Sequence, residues 1–200
     1  MKEEILIIGS GGHARSCVDV IELEDKFTIA GFIDNNIQVI TMKYPLLGND
    51  DDLKVLSKKY KNACIGVGQI LTPEIRINIY DMLKTIGFKL PSIVSPLSYV
   101  SKSAFIDEAS IVMHHALVNT NVRVGKACII NSKALIEHDA IIGDFSHIST
   151  ASVVNGGCVV ESGSFLGSNT HLKHGQILSK NSILYNNLKG CTNEKNFSHS

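Results

Sequence analysis

From Val100 to Leu184 the chain places an aliphatic residue at every sixth position without a break, running through Val112, Val124, Ile136, Ile148, Val160 and Leu172. A period of six fits neither the 3.6 of an α-helix nor strands that reverse at hairpins. It predicts a solenoid in which each six-residue segment is one short strand plus a corner. Four residues after each aliphatic the chain is mostly small, as at Ala116, Cys128, Ala134, Ser146, Cys158 and Ser164, with Val122, Gln176 and Leu188 as exceptions. Side chains alternate along a strand, so the aliphatic and the small residue both point inward. The place just before each aliphatic faces outward, yet it too is mostly apolar: Phe105, Ile111, Leu117, Ile129, Leu135, Ile141, Val153, Val159, Phe165, Ile177 and Ile183. So long an apolar exterior column predicts packing against another subunit or against the rest of the chain. His147 and His171 interrupt it.

The first ninety or so residues follow a different rule. Ile5–Ile8 reads as a buried parallel strand, Ala14–Leu23 as a helix, Phe27–Ile33 as a second strand, residues 51–60 as a short charged helix, Ala63–Val67 as a third strand and Pro73–Ile86 as a second long helix. This order predicts an α/β unit with a parallel sheet. Pro91 and Pro96 mark the change of period, giving expected domains at 1–92 and 93–190 and a polar tail at 191–200.

Between the first strand and its helix lies Gly9-Ser10-Gly11-Gly12-His13. Glycines there let backbone N–H groups approach an anion at the positive end of the helix. Gly9, Gly11 and Ala14 fit the spacing of a dinucleotide fingerprint, and Asp34 follows at the tip of the second strand. An ordinary capping turn and an NAD-dependent enzyme remain open alternatives. The α/β part, however, is only half of a two-halved dinucleotide fold, so one nucleotide with two phosphates suits it better.

Charge narrows the picture further. Nineteen basic and nineteen acidic residues cancel, with no basic tract and no tryptophan, which argues against nucleic acid or an anionic membrane as partner. No apolar run has the length of a membrane span and no signal peptide is evident, so a cytoplasmic location is expected. The cysteines, 17, 64, 128, 158 and 191, are odd in number and lack C-x-x-C spacing, as expected of reduced thiols rather than a disulfide frame or a zinc site.

Within the solenoid, His138 stands between Glu137 and Asp139 near a corner and is expected to project outward. A histidine beside a carboxylate is equipped to take a proton from an attacking amine or hydroxyl. His147, in the apolar column, reads as an interface histidine or a ligand contact. Cys128 and Cys158 point inward and make poor nucleophiles.

Three passages, Ile7–Ala14, Gly31–Asn35 with Ile65–Gly68, and Asn131–Ile148, resemble the NeuD-type sugar O- and N-acetyltransferases. These belong to the hexapeptide-repeat acyltransferases and include the enzymes that acetylate nucleotide-linked 4-amino sugars. The resemblance implies a Rossmann-like N-terminal domain and a left-handed parallel β-helix with eighteen-residue triangular coils, about five of them, forming a prism ~24 Å tall. It implies a homotrimer that transfers acetyl from acetyl-CoA to an amine or hydroxyl of a nucleotide-linked sugar in surface-glycan biosynthesis. Carried over by position, Gly11, Gly12 and His13 would meet the acceptor's phosphates, Asp34 and Asn35 its base or ribose, and Gly66 would allow close approach. His138 would be the general base with Asp139 as partner, and His147, Ser168 and Asn186 would contact acetyl-CoA.

The chain departs from the family at Leu184–Leu188, where glycines are usual, and in lacking a terminal G-x-P-A-K loop. A non-catalytic trimeric scaffold therefore stands as an alternative, and the resemblance leaves sialic-acid O-acetylation as another. No metal is expected: His174 lies two coils from His138, a spacing that predicts ~10 Å, too far for a shared zinc. His114, His115 and His174 read as surface histidines.

Overall fold

The computed structural model describes residues 2–36 and 43–185; Asn186, Leu188, Cys191 and the tail lie outside them. Strands β1 (Glu3–Ile8), β2 (Phe27–Ile33), β3 (Leu46–Gly48) and β4 (Asn62–Ile65) form one wholly parallel sheet in the order β3-β2-β1-β4. Helices α1 (Gly12–Glu24) and α3 (Glu74–Ile86) flank it. The order reverses between β1 and β4, and in such sheets ligands bind outside the carboxyl ends of the strands at that switch point.

Two details differ from the sequence reading. Strand β3 was not expected, because its three residues are too few for a visible alternation. The charged helix of 51–60 shrinks to a 3₁₀ turn (Asp50–Asp52) and one α-turn, α2 (Leu53–Leu56), because its end is closed by backbone bonds of Ser57, Lys59 and Tyr60 to Leu53 and Leu56.

Strand β1 is buried on both sides, which explains its unbroken apolar run. Ile5 and Ile7 pack toward α1, while Leu6 and Ile8 pack with Tyr80 and Leu83 of α3.

From Ile93 onward the chain winds through sixteen two-residue strands, each paired in parallel with the strand eighteen residues away. They stack into three sheets, the faces of a prism. The first face holds Ile93–Val94, Ile111–Val112, Ile129–Ile130, His147–Ile148, Phe165–Leu166 and Ile183–Leu184. Tyr99–Val100, Leu117–Val118, Leu135–Ile136, Val153–Val154 and His171–Leu172 form the second. Phe105–Ile106, Arg123–Val124, Ile141–Ile142, Val159–Val160 and Ile177–Leu178 form the third. The prism therefore begins one strand before the hexad at Val100, at Val94, which keeps the same period.

The aliphatics of the six-residue repeat are the prism's core, and the small inward residues fill its corners. Buried hydroxyls there turn to the backbone: Ser110 Oγ donates to the Gly125 carbonyl at 2.6 Å and Ser164 Oγ to that of Ser179 at 2.8 Å. At every sixth position from Ala109 to Asn181 the backbone enters the left-handed region, and Gly fills that place only at Gly157, Gly163 and Gly175.

The outward apolar column divides among the faces. On the first, Ile93, Ile111 and Ile129 join one core cluster with Ile5, Ile7, Ala14 and Cys17, so the α/β domain covers this face. On the third, Phe105 (53% exposed), Ile141 (45%) and Ile177 (64%) stand in solvent.

Candidate functional site

The glycine loop sits where the switch point demands. Gly9 takes φ 93°, donates its N–H to Ile33 O at 2.7 Å, and leads to Gly11, the N-cap of α1. A Cβ at Gly11 would touch nothing within 4 Å and one at Gly12 would meet only Arg15 Nη2 at 3.7 Å, so both backbones are open. Gly66 differs. A Cβ there would lie 2.8 Å from Ile7 Cγ2 and 3.0 Å from Ala14 Cβ, so the approach it allows is between β4, β1 and α1.

Asp34, expected to reach a ribose or base, is held within the loop. Ser10 donates to its Oδ2 through backbone N–H at 2.7 Å and hydroxyl at 2.5 Å, and the Asn36 N–H binds Oδ1 at 2.8 Å. Asn35 Nδ2 donates to Asp50 at 2.7 Å. A cleft of about 330 Å³ opens beside these groups, lined by Gly9, Asp34, Asn35, Asp50, Val67 and Asn78 among others.

Behind the loop a polar seam joins the two domains. Arg76, on α3, is 1% exposed and has no carboxylate partner among the described residues. Its guanidinium donates to the carbonyls of Val67 (2.5 Å) and Ile65 (3.3 Å), and across the seam to Ala127 of the prism (2.9 Å). Gln69 Nε2 donates to Phe145 O at 2.8 Å, and His147 Nδ1 donates to Gln69 O at 2.5 Å. His147 is 6% exposed, its Nε2 accepts from Asn131 at 3.0 Å, and its ring meets the Phe165 edge. Burial pushes its pKa down to about 4, with Arg76 adding to the effect and the Gln69 bond opposing it. His13 shares this environment: burial first, then Arg76 and His147, lower it to about 3, and its Nε2 is enclosed without a hydrogen-bond partner. Both imidazoles are therefore neutral. His147 is thus hydrogen-bonded where the prism meets the α/β domain.

His138 occupies the corner between the second and third faces, away from the covered face. Its ring is half exposed, and Nδ1 donates to Asp139 Oδ2 at 2.8 Å. Asp139 also accepts from Asn121 Nδ2 at 3.2 Å, and these bonds lower its pKa, His138 contributing most. Glu137 is taken instead by Asn119 Nδ2 at 2.7 Å, so of the two flanking acids Asp139 is the partner. With Nδ1 occupied, His138 presents Nε2 above Gly156, where a Cβ would come within 2.7 Å of it.

His174 stands nearer to His138 than the coil spacing predicts: their ring centroids are 6.5 Å apart, not ~10 Å, because the coil between them carries Gly156-Gly157 and lets the rings lean together. No group of three or more potential metal ligands occurs among the described residues. His114, read as a surface histidine, instead bridges Ser95 Oγ (2.6 Å) and Asp19 (2.7 Å) at the seam. Ser168 lies at the corner between the first and second faces, its Oγ 3.0 Å from Ser149 Oγ.

One chain thus brings together His13 and His147, and separately His138 and Asp139, but not these two groups with each other. Gln69, Arg76, Asn121 and Gly156 were not singled out from sequence, and Ser10, which reads there as a solvated or capping residue, is instead buried against Asp34. Asn121 and Gly156 were findable as the residues eighteen before Asp139 and eighteen after His138; Arg76 carries no such signal.

Residues 4–83 match the PglD N-terminal domain family. The acetyltransferase domain of PglB from Neisseria gonorrhoeae is 25% identical with a TM-score of 0.69, over 92% of this chain and 94% of that one. PerB from Caulobacter crescentus, solved in complex with CoA and GDP-perosamine, is 19% identical with a TM-score of 0.74, over 88% of this chain and 91% of that one. WeeI from Acinetobacter baumannii is 17% identical with a TM-score of 0.61, over 91% and 94%. No protein of curated function matches the chain by sequence. These likenesses span both domains, and the chain shares their fold, an α/β domain joined to a left-handed β-helix.

Proposed function

Because residues 4–83 match the PglD N-terminal domain family and the whole chain shares its fold with solved sugar acetyltransferases, we propose that it transfers acetyl from acetyl-CoA to an amine or hydroxyl of a nucleotide-linked sugar. The observation that carries this reading is the His138–Asp139 pair, a hydrogen-bonded imidazole whose Nε2 is presented over a bare Gly156 backbone. Asp139 fixes the tautomer and steadies the imidazolium formed as His138 Nε2 takes the acceptor's proton. The free amine or hydroxyl then attacks the thioester carbonyl directly, with no acyl-enzyme. The buried thiols of Cys128 and Cys158 are unsuited to nucleophilic attack; burial raises that of Cys128 to about 12.

The acceptor's diphosphate would sit on the open backbone of Gly11 and Gly12 at the start of α1, with its nucleoside toward Asn35 and Asp50. His138 stands at the corner opposite the covered face, so the base serves a cleft contributed by another copy packed on the second or third face. The exposed Phe105, Ile141 and Ile177 supply the apolar surface for that contact, and a trimer closes it. His147, placed behind the loop, would then act on acetyl-CoA through the shape of the seam.

The test is a thermal-shift and transfer assay with acetyl-CoA, NAD and GDP-, UDP- and CMP-linked amino sugars, since a ligand specific for the native state raises its apparent stability. Stabilisation by acetyl-CoA and one nucleotide sugar, with acetylated product, is expected. Stabilisation by NAD alone would replace the reading with an oxidoreductase, and stabilisation by none with a scaffold.

A further inference from the structure

The corner that holds His138 holds a second histidine whose position suits the other half of the same reaction. His174 stands thirty-six residues on, at the same corner two coils away, with its ring centroid 6.5 Å from that of His138 and the planes inclined by 47°. Between them lies Gly156-Gly157. A Cβ at Gly156 would collide with His138 Nε2, while His174 Cε1 lies 3.9 Å from where a Gly157 Cβ would be. The two imidazoles therefore wall a notch floored by backbone alone.

Their surroundings differ in one respect. His138 is followed by Asp139 in a left-handed corner, and the carboxylate binds its Nδ1. At the same left-handed place after His174 stands Gly175, and no carboxylate pairs with His174 among the described residues. A carboxylate is placed to hold the ring of His138 through Nδ1, and among the described residues none is placed to do so at His174.

Resting on the reading above, we propose that His174 is the proton donor to the departing thiolate. The acceptor nitrogen or oxygen attacks the acetyl carbonyl carbon and its proton passes to His138 Nε2. The carbon–sulfur bond then breaks, sulfur leaves with the bonding pair, and the His174 imidazolium protonates it. The products are the acetylated sugar and the free thiol; solvent removes the proton from His138 and restores that of His174. The attacking and leaving atoms on one tetrahedral carbon are roughly 3 Å apart, and each is within reach of a hydrogen bond of about 3 Å, so two rings at this separation can serve both at once.

The experiment compares single-turnover rates of full-length wild type, His174→Gln, His174→Ala and His138→Ala with two donors, acetyl-CoA and an acetyl aryl thioester whose thiolate leaves without a proton. General acid–base groups contribute about 10²–10⁴-fold. Both His174 variants should lose a factor of that order with acetyl-CoA, keep its KM, and run close to wild type on the aryl thioester. His138→Ala should lose rate on both. Unchanged turnover of acetyl-CoA by His174→Gln, or equal losses on the two donors, would overturn the proton-donor role while leaving the transferase reading intact. Wild type that acetylates no nucleotide-linked sugar from either donor would overturn both.

Discussion

Ser10 gives both its backbone N–H and its hydroxyl to a single oxygen of Asp34, at 2.7 and 2.5 Å, and so ties the glycine loop to the tip of β2. Hydrogen bonds to a charged group contribute about 1.5–3 kcal/mol each. Ser10→Ala keeps the backbone bond and loses the other, and should cost about 1–3 kcal/mol in urea denaturation while weakening nucleotide-sugar binding. Asp34→Ala releases both and Asn36 as well, and should weaken binding more. Unaltered affinity in Asp34→Ala by titration calorimetry would show that the loop holds its shape without this clasp.

Two glycines of the same site should answer differently. Gly12 has open space around its Cα, so Gly12→Val should leave the melting temperature nearly unchanged and abolish binding of the acceptor's phosphates. Gly66→Ala would force a Cβ against Ile7 and Ala14 and should destabilise the domain by about 1–3 kcal/mol, the usual cost of overpacking. Calorimetric melting and ligand titration on both variants separate ligand approach from packing. Normal binding by Gly12→Val would remove the phosphate site from α1.

At the prism corner, kcat should fall about 10²–10⁴-fold in His138→Ala with little change in the KM for acetyl-CoA. Asp139→Asn keeps the imidazole but removes the charge that steadies its proton, so it should fall between that variant and wild type. Asn121→Ala frees one oxygen of Asp139 and should give a smaller loss. Steady-state kinetics with the acceptor identified by transfer decide this order, and near-normal turnover by His138→Ala would overturn the mechanism.

His13 and His147 make stability depend on acid. Their pKa values in the fold, about 3 and about 4, lie below the ordinary 6.5. Between those limits the unfolded chain binds protons that the folded one does not. Their contribution is thus fully present above about 6.5 and is lost as pH falls toward 4 and then 3. At about 1.4 kcal/mol per pKa unit, His147 alone accounts for roughly 3 kcal/mol. Urea midpoints measured from pH 7 to 4 should fall steeply in wild type and less steeply in His147→Asn. Equal slopes would mean that His147 keeps its ordinary basicity.

Assembly offers a further check. Ile141→Glu with Ile177→Glu places charge on the exposed third face and should convert the proposed trimer to monomers in sedimentation, with the melting of the α/β domain intact. A wild type that sediments as a monomer at micromolar concentration would remove the shared site.

The prism was legible because each hexad repeats one instruction, so the period accumulates evidence that a single strand such as Leu46–Gly48 cannot. The inward positions read correctly for the same reason. What escaped was whatever depends on two distant stretches meeting. Arg76 looks like an ordinary charged position on a helix; only the docking of α3 beside Ala127 makes it a buried bridge. His138 and His174 looked ~10 Å apart from coil spacing, and side-chain lean across Gly156 shortened that to 6.5 Å. The clasp of Asp34 by Ser10 was hidden because a serine between glycines has no periodic signature.

The left-handed corners have a consequence for how the molecule acquires its shape. For most L-residues that conformation costs about 1–2 kcal/mol, and from Ala109 to Asn181 it recurs at every turn of six, ten times without glycine. Hexads with alanine, lysine, phenylalanine or histidine at that place, such as those of Ala127, Lys133 and Phe145, would not choose such a bend unaided and are held in it by the ladder of bonds to the coil beside them. Each coil is therefore a template for the next, and order can spread layer upon layer as it does in a growing crystal. The α/β domain packs on Ile93, Ile111 and Ile129 at one end of this stack, so amide exchange should quicken from the docked end toward Ile183.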